Sequence, residues 1–299
     1  MNRPIRRRAF VGGALASAAA WLAAPYAAAL PPAPDDRARL AEWLRALRAE
    51  NLARASLGAA VARAGELAVG TPYAAGTLEA YLASGTPARE PLTLHLDRFD
   101  CVTLVESALA VARAAGRSRA PGWAEFAGEV ERMRYRGGVR AGYDSRLHYF
   151  SEWIADNARR GLALDLGAEL GGTRDRRPLR FMTEHRASYP ALRSDAVFRA
   201  ARERERMLDE TPRHVVPTAR IAAAQDRIQS GDVLAFATSI AGLDVTHTGL
   251  AYRDRAGTMR VLHAPLSGGA VEVSRRTLPE YVAAIRGSTG ILVARPLRG

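Results

Sequence analysis

Lysine is absent from this 299-residue chain, and all 43 basic residues are arginine. With 31 acidic residues the formal net charge is +12. Arginine used to the exclusion of lysine reads as a genome-composition effect. The arginines are scattered, with no basic stripe interleaved by aromatics, which argues against a nucleic-acid partner. Cysteine is reduced to one residue, Cys101, so no disulfide framework can hold the fold. No His-Glu-x-x-His or Cys-x-x-Cys spacing occurs, so no metal site is expected. Long apolar runs are lacking except at the amino terminus.

That run has the form of an export signal. Arg3, Arg6, Arg7 and Arg8 precede an alanine-rich apolar stretch from Gly12 to about Ala29. Arg7-Arg8 before Ala9, Phe10 and Val11 resembles a twin-arginine consensus, and Ala27-Ala28-Ala29 offers a small-residue cleavage site. No cysteine stands there to carry a lipid. Residues 1–29 are therefore expected to be removed, leaving residues 30–299 as one domain of charge +8 in the periplasm, with no stable membrane insertion and a monomer as the expected state. A basic surface there suits an anionic wall polymer. An exported protein usually pairs its cysteines or avoids them, so a lone thiol asks for a chemical reason.

Leucines and valines at three- and four-residue spacing predict helix from about 35 to 69, after Pro31, Pro32 and Pro34. Gly70-Thr71-Pro72-Tyr73 breaks that period. A second helix is predicted from Asp100, as its N-cap, to about Ala115. The stretch from about 120 to 220 carries helices near 123–133 and 150–159, a turn at Gly137-Gly138, and Gly- and Arg-rich connections. It reads as an insertion, too long for a loop and too irregular for a repeat. From Ser230 the period becomes that of strands, at 233–237, 246–252, 259–263, 271–273 and 291–294. Helices followed by strands predict an α+β fold with an antiparallel sheet.

A lone cysteine is most often a buried structural residue. Cys101, however, directly follows a predicted cap, where unpaired N–H groups and the helix dipole favour a thiolate. A nucleophilic thiol needs a base, and histidine suits that exchange. His247 and His263 fall in consecutive predicted strands, and the turn at 253–257 makes these a hairpin that sets the two rings side by side as a base and its orienting partner. His95, His148, His185 and His214 have no such placement.

Three stretches resemble the NlpC/p60 superfamily of papain-like cysteine peptidases and amidases: Gly70-Thr71-Pro72-Tyr73, the run from Phe99 through Cys101 to Glu106, and Gly231-Asp232-Val233 followed by His247-Thr248-Gly249-Leu250 and Leu262-His263-Ala264. With the stretches at 70–79, 145–154 and 181–190, the chain resembles more narrowly the N-acetylmuramoyl-L-alanine amidase-like family, from about residue 60 to the carboxyl terminus. The resemblance implies a papain-like α+β fold with Cys101 as nucleophile, His247 as general base, His263 as the orienting third residue, and Tyr73 beside the nucleophile. It implies a peptidoglycan or muropeptide substrate, cut between N-acetylmuramic acid and L-alanine without a cofactor. Asp100 caps its helix or helps position substrate. Arg146, His148 and Tyr149, in the insertion, are candidates for substrate binding, with an alternative as an incidental loop, and Glu106 is open. Cleavage between D-glutamate and the diamino acid, or a silent wall-binding module, are the alternative functions.

Overall fold

The computed structural model describes residues 34–299 apart from 86, 118, 119 and 268, so the expected signal at 1–29 lies outside the described residues. No helix among the described residues is long and apolar enough to cross a membrane.

The helical run predicted as one element is two, α1 (Pro34–Ala49) and α2 (Leu57–Leu67). Asn51 adopts a left-handed backbone at φ 56°, which a continuous helix does not allow, and Ser56 caps the second helix by accepting from Ala59 N–H at 3.3 Å. Next come α3 (Cys101–Arg117), α4 (Trp123–Arg134) and α5 (Phe150–Arg159). Almost every residue of α3 is buried. That is why it reads as apolar nearly all round: it lies between α1, α2 and α4 and the face of a sheet.

The 120–220 stretch holds more regular structure than its glycines and arginines suggest. Beyond α5 it contains β1 (Ala163–Asp165), β2 (Thr173–Asp175), α6 (Asp195–Leu208) and β3 (Arg213–Pro217). The three strands are short and partly charged, so no alternation marks them. They form because β1 and β3 find partners in the last strand of the chain, and β2 pairs with β3. Then follow β4 (Val233–Thr238), β5 (Val245–Arg253), β6 (Met259–His263), β7 (Glu272–Val273), α7 (Leu278–Ala284) and β8 (Ser288–Pro296). α7 interrupts the predicted run of strands. Its signal is the capping box of Thr277 and Glu280, whose Oε2 accepts from Thr277 N–H at 3.0 Å.

The sheet runs β2-β3-β8-β4-β5-β6-β7, with β1 also on β8, and every pairing is antiparallel. This is an α+β architecture, as expected. Period-two alternation divides the core. Val233, Ala235, Leu250, Leu262 and Leu292 face the helices, while Leu234, Phe236, Ala251, Val261 and Val293 face a second layer with Leu278 and Val282 of α7. A third cluster within the insertion joins Tyr143, Tyr149, Phe181, Met182 and Leu192.

Candidate active site

Three stretches distant in sequence meet at the start of α3. Asp100 caps it as predicted. Its Oδ1 accepts from Thr103 N–H and from the Thr103 hydroxyl, both at 2.8 Å, while Asp100 N–H donates to Thr103 Oγ1 at 2.9 Å. The carboxylate expected to help position substrate is thus taken up by the cap. Cys101 follows, 1% exposed.

The segment at 70–73 is stitched between the run-in to α3 and the approach to β7. Phe99 N–H donates to Pro72 O at 3.0 Å, Ala74 N–H to Phe99 O at 2.9 Å, Tyr73 N–H to Gly269 O at 2.8 Å and Gly70 N–H to Val271 O at 2.9 Å. Gly70 turns the chain at φ 84°, a left-handed position that suits glycine. The Tyr73 hydroxyl is buried without a hydrogen-bond partner among the described residues. Burial keeps it protonated, and negative charge on Asp100 or Cys101 would strengthen that. It is therefore an uncommitted O–H donor, near enough to Cys101 for a thiolate to disfavour its ionisation.

On the other side stand β5 and β6. The rings of His247 and His263 meet, with His247 Nε2 2.9 Å from His263 Nδ1. His247 also stacks on Phe236, its register partner on β4, with ring centroids 5.6 Å apart. Thr248, the residue next to His247, is close enough to the thiol to hold its pKa down, and alternation turns it toward the helices; its hydroxyl is buried with no hydrogen-bond partner among the described residues. The Cα pairing of β5 with β6 runs from Arg253↔Met259 to Leu250↔Leu262 and goes no further toward the thiol. Gly249 lies just past that end. A Cβ there would stand 2.9 Å from Leu262 O and 3.1 Å from His263 Cβ, so glycine lets the histidine strand come close.

Three polar residues at this point escaped the sequence reading. Tyr281, on α7, places its hydroxyl 3.3 Å from His263 Nδ1 and its ring 4.9 Å from that imidazole, close enough to Cys101 that a thiolate would disfavour phenol ionisation. Glu272 is the register partner of His263, and its Oε1 lies 3.7 Å from His263 Nε2, which is buried and has no hydrogen-bond partner among the described residues. Thr248 lies close enough to the thiol to lower its pKa. The capping box could have revealed α7, and alternation the face of Thr248; the meeting of Tyr281 with His263 depends on chain packing.

The helix start does not by itself yield a thiolate. Burial pushes the Cys101 thiol up to about 12, and the Asp100 charge adds to this; Thr248 and the thiol's own backbone N–H oppose the rise without cancelling it. Burial likewise lowers His247 to about 3, helped by His263, and lowers His263 to about 4. Both partners rest neutral, so desolvation outweighs the helix dipole.

The insertion residues lie elsewhere. Arg146 gives its guanidinium to Glu79 at 2.8 Å and Glu90 at 2.9 Å, and covers the Tyr143 ring at 5.0 Å. His148 Nε2 donates to Tyr143 O at 2.9 Å, and Tyr149 O–H to Glu205 at 2.7 Å. These contacts build the third core, where His148 and Tyr149 border a cavity of about 300 Å³ with Met182, Arg136 and Arg204. Glu106 is likewise structural, accepting from Arg134 at 2.7 Å and Trp153 at 3.2 Å.

A family model described as AmiA-like, N-acetylmuramoyl-L-alanine amidase-like, matches residues 63–291. Among solved structures, an N-acetylmuramoyl-L-alanine amidase from Bacteroides uniformis is 30% identical, with a TM-score of 0.73, covering 81% of this chain and 99% of its own. A putative xylanase from Bacteroides fragilis is 34% identical, with a TM-score of 0.71, covering 78% and 99%. A Legionella pneumophila protein at 18% identity and TM-score 0.61, covering 86% and 94%, shares the fold. No curated protein matches the chain.

Proposed function

Because the chain belongs to the N-acetylmuramoyl-L-alanine amidase-like family, we propose that it is a cysteine hydrolase cutting the amide between the lactyl group of N-acetylmuramic acid and L-alanine of the stem peptide. The observation that carries this reading is the 2.9 Å contact between His247 and His263, on the strand whose next residue, Thr248, is close enough to the buried Cys101 thiol to act on its pKa. The helix-then-sheet order and the nucleophile at a helix start support a papain-like fold of the NlpC/p60 kind.

With His247 Nε2 engaged by His263, Nδ1 is the nitrogen left to accept a proton. His247 Nε2–H donates to His263 Nδ1, and His263 carries its own proton on Nε2, toward Glu272. The resting thiol is protonated, so its proton moves to His247 as sulfur attacks the amide carbon, without a preformed ion pair. The Cys101 backbone N–H at the helix start and the Tyr73 hydroxyl receive the oxyanion. His247 then protonates the leaving L-alanine nitrogen, and water, deprotonated by the same ring, hydrolyses the thioester. No step calls for a metal or organic cofactor. The substrate is peptidoglycan or a muropeptide, met in the periplasm after export by the twin-arginine route, and the enzyme acts as a monomer.

Incubation with a defined muropeptide and weighing of the products tests the reading. An intact stem peptide beginning with L-alanine is expected; products split after D-glutamate would replace this bond assignment with the endopeptidase alternative. Cys101→Ala is expected to lose hydrolysis completely while still binding the muropeptide. Unchanged turnover in that variant would end the cysteine mechanism.

A further inference from the structure

A second polar cluster lies one turn of chain before the nucleophile. Asp36, on α1, is fully buried, and its Oδ1 accepts from Leu96 N–H at 2.9 Å. Its Oδ2 has no hydrogen-bond partner among the described residues. Asp97 Oδ1 is likewise buried and unpartnered. Both oxygens face His95 Nδ1, at 4.0 Å and 3.8 Å, and the cluster's three ligand atoms lie within 4.8 Å of one another. These separations are too long for hydrogen bonds. With the two carboxylate oxygens no more than 4.8 Å apart, a point equidistant from the three atoms lies roughly 2–2.5 Å from each, the range of metal–oxygen and metal–nitrogen lengths.

Arg98, which can only donate, points at His95 Nδ1, so that ring nitrogen carries a lone pair. Arg39 is committed to Leu96 O and the Thr71 hydroxyl. Arg98 is the one competitor among the described residues. Its Nη2 lies 3.1 Å from His95 Nδ1 and its Nη1 3.6 Å from Asp97 Oδ2. It bonds neither orphaned oxygen, and its side chain reaches the surface, so it can swing into water.

We propose that Asp36, His95 and Asp97 bind one divalent transition-metal cation, displacing Arg98 and clamping α1 to the segment that leads into Cys101. One imidazole and two carboxylates suit Zn²⁺ or Mn²⁺, with water completing the shell. The role is structural. Asp36 precedes the part of the chain that the family model matches, so the clamp joins an element outside that region to the nucleophile's approach.

Calorimetric titration of the chelator-treated Cys101→Ala chain with Zn²⁺ and, separately, Mn²⁺ tests this, because removing the thiol prevents capture at the catalytic site. One saturable site is expected for at least one ion, with a rise in the melting temperature. Asp97→Asn, at a partly exposed position, should weaken binding at least tenfold, as should Asp36→Asn if it folds. Arg98→Ala should tighten it. Absence of saturable binding by both ions, or binding untouched by Asp97→Asn, would overturn the proposal.

Discussion

Tyr281 meets His263 with both its hydroxyl and its ring, and the hydroxyl is the polar part of that contact. Its hydroxyl shares His263 Nδ1 with His247, so it acts on the reaction only through the orientation of that ring. A hydrogen bond of this kind contributes about 0.5–1.5 kcal/mol. Tyr281→Phe should therefore lower kcat by between about twofold and tenfold with KM unchanged, read by steady-state kinetics on a muropeptide. Arg146, a candidate for substrate binding, has its guanidinium committed to two carboxylates. The Glu90 side chain is only 2% exposed and loses its guanidinium in Arg146→Met. Removing one partner of a buried ion pair costs about 3–5 kcal/mol. The melting temperature should fall by roughly 6–20 °C, whereas a substrate-gripping arginine would raise KM and leave melting alone.

At the scale of elements, the site depends on how closely β5 approaches β6. Gly249 is the position where any side chain meets both the Leu262 carbonyl and His263 Cβ. Gly249→Ala should destabilise the fold by about 1–3 kcal/mol, visible in denaturant unfolding, and reduce kcat by moving His263 off His247. The start of α3 is another such point. Asp100→Ala removes an acceptor for Thr103 and should cost about 0.5–2 kcal/mol. Asp100→Asn keeps a capping oxygen while deleting a charge that raises the thiol, so iodoacetamide should alkylate Cys101 at lower pH than in the parent chain. An unshifted alkylation profile would leave burial as the sole cause of the high thiol pKa.

Over the whole molecule, burial keeps four histidines neutral. His247 is lowered to about 3, His95 and His263 to about 4, and His148 well below its ordinary value, in each case chiefly by desolvation. Unfolded, they bind protons near pH 6.5. A lowered folded value gives stability that is whole above about 6.5 and is lost as pH falls toward 4. The buried carboxyls of Asp100, Glu106 and Asp244 are raised by desolvation and act with the opposite sign, offsetting part of the loss at the acid end. Calorimetry should show the melting temperature falling between pH 7 and pH 5; a flat profile would mean that the imidazoles are already charged in the folded protein.

The local signals were legible because they act over three or four residues. Asp100 and Thr103 cap α3, the α5 bounds follow its apolar spacing, and alternation with a short turn brings His247 and His263 into one hairpin. The short strands β1 and β3 were hidden because their stability comes from β8, more than seventy residues further along the chain, and β2 because it depends on β3. Residue types and their order thus determined the thiol at a helix start and the paired rings. Tertiary packing alone decided that the thiol and both rings rest uncharged, that Tyr281 and Glu272 attend His263, and that Arg146 is bound to two carboxylates. Desolvation and contacts between distant segments exist only once the chain has closed around them.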